Sequence, residues 1–279
     1  MLISSSFWTF RPFNLIFWLT TLFFAALLIV ATLLLRNKSP KTKKLVILIS
    51  CLVTIVGFFA YKYALSIDQE YNVLIAARGG FNWWGELPLH LCNINMILIP
   101  IAIYSERRAL QCFCFFIGPL GAAMAILMPS QGFSDVPLFL PRMLGYFGTH
   151  YMIVIEALAI GTFGLYRPKW ADLPKAIAAF FITARIIFGI IMLIRAAGLN
   201  PHANYFYTAE TEGNPLLEIF HRWIPAPFLY LIPSYVILLP YMLLVVAPFE
   251  LALRARGKKE AKAADREKSG IGSTTNQEA

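Results

Sequence analysis

FNLIFWLTTLFFAALLIVATLLL, residues 13–35, places no charged side chain in 23 consecutive positions. A helix that is apolar on every side needs a solvent without water, and roughly 20 such residues at about 1.5 Å each cross the ~30 Å hydrocarbon layer of a bilayer. Six further segments of similar character follow at 45–65, 87–104, 109–128, 148–166, 173–195 and 227–249. The composition agrees: 58% of residues are hydrophobic and only 14% charged, against about 25% charged in soluble domains. Of the charged side chains, 11 lie in the last 27 residues, so the remainder of the chain is poorer still. An ordinary soluble enzyme is excluded.

Each segment must be helical, because an open strand leaves unpaired peptide groups in lipid. Alternation over about ten residues does not recur, which argues against an outer-membrane barrel. The expected fold is therefore all-α: a polytopic bundle of seven transmembrane helices over residues 1–252, followed by a charged tail, 253–279. That tail mixes charge with Ser, Gly and Thr and is expected to extend the last helix briefly, then fray into disorder. The first segment is too long for a signal-peptide core, has no small-residue cleavage site after it, and reads as a span.

Lys and Arg fall unequally between alternate loops. Seventeen lie in the loops around 36–44, 107–108 and 167–175 and in the tail; six (Arg11, Lys62, Arg78, Arg142, Arg195, Arg222) lie on the other side, and Arg185 falls inside a span. The positive-inside rule then puts the amino terminus outside and the carboxy terminus in the cytoplasm. The net charge of +9 follows from this distribution beside anionic lipid and does not point to nucleic acid. Two outer loops are long: 66–86, with Phe81, Trp83 and Trp84 suited to the headgroup level, and 196–226, with His202, Asn204, Tyr205, Tyr207 and His221. The seventh segment contains no lysine, which removes the Schiff base of a retinal protein.

Of four cysteines, Cys51, Cys112 and Cys114 read as packing residues within spans, and no CxxC or Cys/His spacing suggests a metal. Cys92 has unusual neighbours. The third segment opens Glu86-Leu87-Pro88-Leu89-His90-Leu91-Cys92-Asn93-Ile94-Asn95, and four polar residues in six cost too much on a lipid-facing surface. On a regular helix Cys92 and Asn95 lie about 60° apart, whereas His90 points away from Cys92 and shares a face with Asn93. His150, near the start of the fifth span, lies at a depth similar to Cys92. Two readings stand side by side: a thiol activated by an imidazole for attack on an acyl carbonyl, or a packing thiol and a histidine bonded to a carbonyl or loop group. Glu156 and Arg185 are the deepest charges. As residues of consecutive spans they are expected to pair, as structural glue, as part of a polar cavity or as a proton path. Ala157 with Gly161, and Gly118 with Ala122, are small residues that let helices approach closely.

LPLHLCNINMILIPIAIY (87–104), with GTHYMIV (148–154) and NYFYTAETEGNPLL (204–217), resembles the YwaF family of integral membrane proteins, which is related to the transmembrane protein 164 phospholipid acyltransferases. The likeness runs over about residues 45–245, and its most specific part is the HLC segment. It implies a multi-span helical protein in which Cys92 is the nucleophile and His150 the base of acyl transfer between lipids. His90, Asn93, Asn95, Glu156, Arg185 and Asn204 are the supporting polar residues, with Asn95 as a candidate oxyanion donor. The chain departs from the family at HRWIPAPF (221–228). The expected partners are membrane phospholipids and lysophospholipids, with no cofactor, no metal, no nucleic acid and no inferable protein partner. The expected location is a cell membrane, that of a bacterium. The competing reading is a transporter or scaffold built on the Glu/Arg/His cluster.

Overall fold

The computed structural model describes residues 8–76, 79–129 and 132–274, of which 256–274 are described as backbone. It is helical nearly throughout. Helix α1 (Leu15–Leu35) starts where the Asn14 side chain accepts the Phe17 N–H at 2.8 Å. Ser39 caps α2 (Pro40–Ile67), with Pro40 in the first turn, where its missing N–H costs nothing. A short α3 (Gln69–Ile75) follows, then α4 (Asn93–Ser105), α5 (Arg108–Leu127), α6 (Pro141–Thr162), α7 (Leu173–Ala196), α8 (Pro215–Trp223) and α9 (Ser234–Thr274). Two-residue strands β1 (Thr9–Phe10) and β2 (Val136–Pro137) pair antiparallel and tie the start of the chain to the loop before α6. Arg11 and Asp135, 2.5 Å apart, reinforce that join.

Among the described residues, six helical stretches are long and apolar enough to cross a membrane: α1, α2, α5, α6, a stretch at 170–196 containing α7, and one at 229–255 containing the first half of α9. The chain is a multi-pass membrane protein. The expected third span, 87–104, is not one continuous helix. α4 begins only at Asn93 and has 13 residues, about 20 Å of rise. Pro88 supplies no N–H and holds Leu87 out of the α region. The Asn95 side chain donates to the Leu91 carbonyl at 2.7 Å, competing with the helical ladder. The chain therefore stays open through 86–92. The fifth expected span also differs, beginning at Pro141 rather than 148, because the charge of Arg142 is buried against Asp68 and Glu70. The last backbone helix runs to Thr274, and residues 275–279 of the expected tail lie outside the described residues.

At the centre is α6, which packs against α1, α2, α4 and α5. Missing side chains allow the approach. A Cβ on Gly118 would lie 2.9 Å from the Ala157 Cβ, and one on Gly145 only 2.0 Å from the Tyr61 Cβ. The small residues expected to mediate helix contact thus join α5 to α6, although the pairing is Gly118 with Ala157, across the two motifs. α7 packs on α5 and α9.

Candidate active site

Cys92 is the residue immediately before α4, and His150 lies nine residues into α6. The Cys92 Sγ lies 3.3 Å from the His150 Nε2. The other ring nitrogen, Nδ1, is 2.7 Å from the Tyr146 carbonyl oxygen. That oxygen can only accept, so Nδ1 carries the proton and Nε2 turns its lone pair to the thiol. The backbone therefore sets the tautomer a general base requires. Both residues are buried, Cys92 as part of an apolar cluster with Phe10, Tyr61, Met96, Phe147 and Tyr151.

Position at a helix start matters chemically. The first N–H groups of a helix have no intrahelical partner and present partial positive charge, and the N–H groups of Cys92 and Asn93 face the Cys92 sulfur. Space beside them is kept by Gly121 of α5, whose Cβ would lie 3.4 Å from the Cys92 N and 3.2 Å from the Leu91 Cγ. Lys62, near the end of α2, is buried, forms an ion pair with Glu86 and lies 4.8 Å over the Tyr61 ring. Through Glu86, its ammonium is tied to the open segment that leads into Cys92. The stretch leading into the open segment is held on its other side by the long loop 196–226. Tyr205 donates to the Trp84 carbonyl, and the Asn82 amide donates to the Leu199 carbonyl at 3.0 Å. Burial pushes the Tyr205 phenol up to about 12, so it remains a donor at neutral pH.

The remaining expected residues make contacts of their own. His90 stands edge-on to Tyr205 at 5.4 Å and to Tyr207 at 6.2 Å. Asn95 is fully buried, with its side-chain oxygen toward Gly118 of α5 and its NH2 donating to the Leu91 carbonyl. The side-chain oxygens of Asn93 and Asn95 have no hydrogen-bond partner among the described residues. Asn204 spends its amide within its own loop, on the Glu210 carbonyl and on Glu212, each at 2.8 Å, and accepts from the Ala209 N–H at 3.1 Å.

The expected pairing of Glu156 with Arg185 does not form. Glu156 turns toward α2, accepting from Ser50 and Thr54, each at 2.7 Å. Arg185 is exposed on α7, 5.9 Å over the Phe228 ring. Consecutive helices usually neighbour one another, but α7 docks on α5 and α9. The Glu/Arg/His cluster of the competing reading is therefore dispersed over three places.

The sequence model of the TMEM164 family matches residues 7–246. The chain belongs to the TMEM164 family. No curated protein and no solved structure matches it. In this TMEM164-family chain, sequence reasoning missed the parts played by Lys62, Glu86 and Gly121, and placed Tyr205 only within the long outer loop. Lys62 left a signal, as a charge inside an apolar run where a loop residue was expected. Among the described residues no group of three or more His, Cys, Asp or Glu side chains could hold a metal ion.

Proposed function

We propose that this protein is a phospholipid acyltransferase of a cell membrane, using Cys92 as nucleophile and His150 as base. One observation carries the reading: the thiol lies within hydrogen-bond reach of an imidazole nitrogen whose tautomer is fixed by the Tyr146 carbonyl. Thiol, base and orienting group in sequence are what nucleophilic catalysis requires. Membership of the TMEM164 family supports the same reading.

In the proposed reaction the Cys92 proton passes to His150 Nε2, and the sulfur forms a bond to an ester carbonyl carbon of a phospholipid. The negative charge on the carbonyl oxygen meets the N–H groups at the start of α4, with Lys62 supplying positive charge nearby. The C–O bond breaks, and the lysophospholipid leaves with the proton held by His150. A hydroxyl of a second lysophospholipid then gives its proton to His150 and attacks the thioester, returning the thiol. The apolar surroundings of the pair favour a lipid hydroxyl over water as acceptor. In this reading the short α4 and the open segment before it complete a seventh crossing, with the amino terminus outside and the pair near the outer leaflet.

The test is purified protein in mixed micelles with an isotope-labelled phospholipid and an unlabelled lysophospholipid, followed by mass spectrometry. Labelled acyl chain should appear on the acceptor with wild type and not with Cys92→Ala. Equal transfer by the variant ends the proposal, as does absence of transfer from folded wild type across headgroups and chain lengths.

A further inference from the structure

α8 divides its surface three ways. At about 100° per residue, Leu216, Ile219 and Trp223 share one sector about 60° wide, and all three are exposed, Trp223 at 68%. Leu217 and Phe220 fill the adjoining sector, and both are buried in the protein. Glu218, His221 and Arg222 occupy the rest. Asn214 caps the helix, accepting from the Leu216 and Leu217 N–H groups at 3.1 and 3.3 Å.

Its place in the chain names what covers the exposed apolar sector. α8 lies between the end of α7 and the beginning of the last membrane stretch at Leu229, so it sits where spans leave the membrane. The adjoining ends of those spans carry exposed apolar side chains, Leu193 on one side and Leu229 and Ile232 on the other, so along the chain the α8 sector is flanked on both sides by lipid-facing positions. A helix with one apolar sector against protein, the next unpartnered and the third polar fits the corner where protein, lipid and water meet. Trp at such a level is favoured because its ring is apolar and its N–H polar.

We propose that α8 lies in the membrane interface at the Cys92 end of the bundle, with Leu216, Ile219 and Trp223 seated at the headgroup–acyl boundary of the lipid. Because Tyr230, just after α8, donates to the Tyr207 carbonyl, and Tyr207 borders His90, the seated helix sets the loop beside the site at lipid level. The proposal does not depend on acyl transfer.

The test uses the full chain, one copy per phosphatidylcholine nanodisc, with a fluorophore attached through Ile219→Cys or, separately, Arg222→Cys. Both carry Cys92→Ala, which removes the reactive thiol, and the other three native cysteines are buried, so labelling is selective. The label at 219 should be quenched at least about twofold by brominated lipid and shielded from aqueous iodide, and the label at 222 should show the reverse. Trp223→Cys repeats the first arm if Ile219→Cys does not fold. Iodide quenching at 219 or 223 as strong as at 222 overturns the proposal. So does shielding that appears only in discs holding two copies, which would make the covering partner a second chain. A silent acyl-transfer assay leaves this result readable.

Discussion

Two buried polar clusters sit at opposite ends of the bundle, and they differ in how completely their groups are satisfied. At one end Asp172 is fully buried, and both its oxygens are used. Arg108 donates to Oδ1 at 2.6 Å and to Oδ2 at 2.7 Å, the Tyr166 hydroxyl to Oδ2 at 2.8 Å and the Lys169 N–H at 2.9 Å. Burial and the bond to Asp172 push the Tyr166 phenol up, which keeps it a donor. At the other end, among the described residues, Cys92 has one side-chain partner and the Asn93 and Asn95 oxygens have none. Saturated contacts hold loops together and leave nothing over for a ligand. The Cys92 end retains a thiol, an imidazole lone pair and helix-start N–H groups aimed at one place, and that residue of unspent capacity is what chemistry needs.

The sharpest way to break the contrast is to remove the sulfur. Cys92→Ala should lower acyl transfer by at least about three orders of magnitude, to background, while the thermal midpoint moves little, because the loss is one small side chain at a helix start. Measuring both on one preparation separates the two ends: activity should go and the fold remain. His150→Ala comes next. It removes the base and leaves the thiol, so transfer should fall by about 10²–10⁴. Added imidazole should restore part of it, a rescue that a purely structural histidine would not show.

The opposite result is expected at the saturated end. Arg108→Ala leaves the Asp172 carboxylate buried without its cation. Stripping one partner from a buried pair costs about 3–5 kcal/mol. Here about 2–3 kcal/mol is expected, because the Arg108 side chain is 37% exposed and solvent screens part of the loss. The thermal midpoint should fall while the folded fraction keeps its specific activity. Loss of activity without loss of stability would mean that the two ends are coupled.

Long apolar runs made the spans legible in the sequence, since lipid imposes helix on any such stretch. Where the reading failed, local polar chemistry had overridden the run. Pro88 and the Asn95 amide keep 86–92 open although hydropathy continues through it, and the Arg142 pair with Asp68 and Glu70 lets α6 begin seven residues early. Cys92 and His150 were legible as one depth, because alternation of spans fixes level. Their contact was not, since it depends on which helix faces α6. The same limit misdirected Glu156 and Arg185, whose neighbourhood was assumed from chain order. Gly121 gave no sign of its role, because a glycine within an apolar helix looks like packing anywhere.

That glycine supplies the finest test. Gly121→Ala adds one methyl, 3.4 Å from the Cys92 nitrogen and 3.2 Å from the Leu91 Cγ, tighter than most real contacts but within what a side chain can yield. Alanine also favours the interior of α5 by about 1 kcal/mol over glycine, so the crowding and the helix preference roughly cancel in stability. They do not cancel at the site, because the methyl occupies the space next to the N–H that the proposed oxyanion needs. Transfer should therefore drop about three- to tenfold with an almost unchanged thermal midpoint. The loss should lie in the turnover rate, not in the lipid concentration for half-maximal rate, since the crowded atoms meet charge that develops during reaction. An unchanged rate would place the oxyanion elsewhere and leave the start of α4 with the same structural standing as the Asp172 cluster.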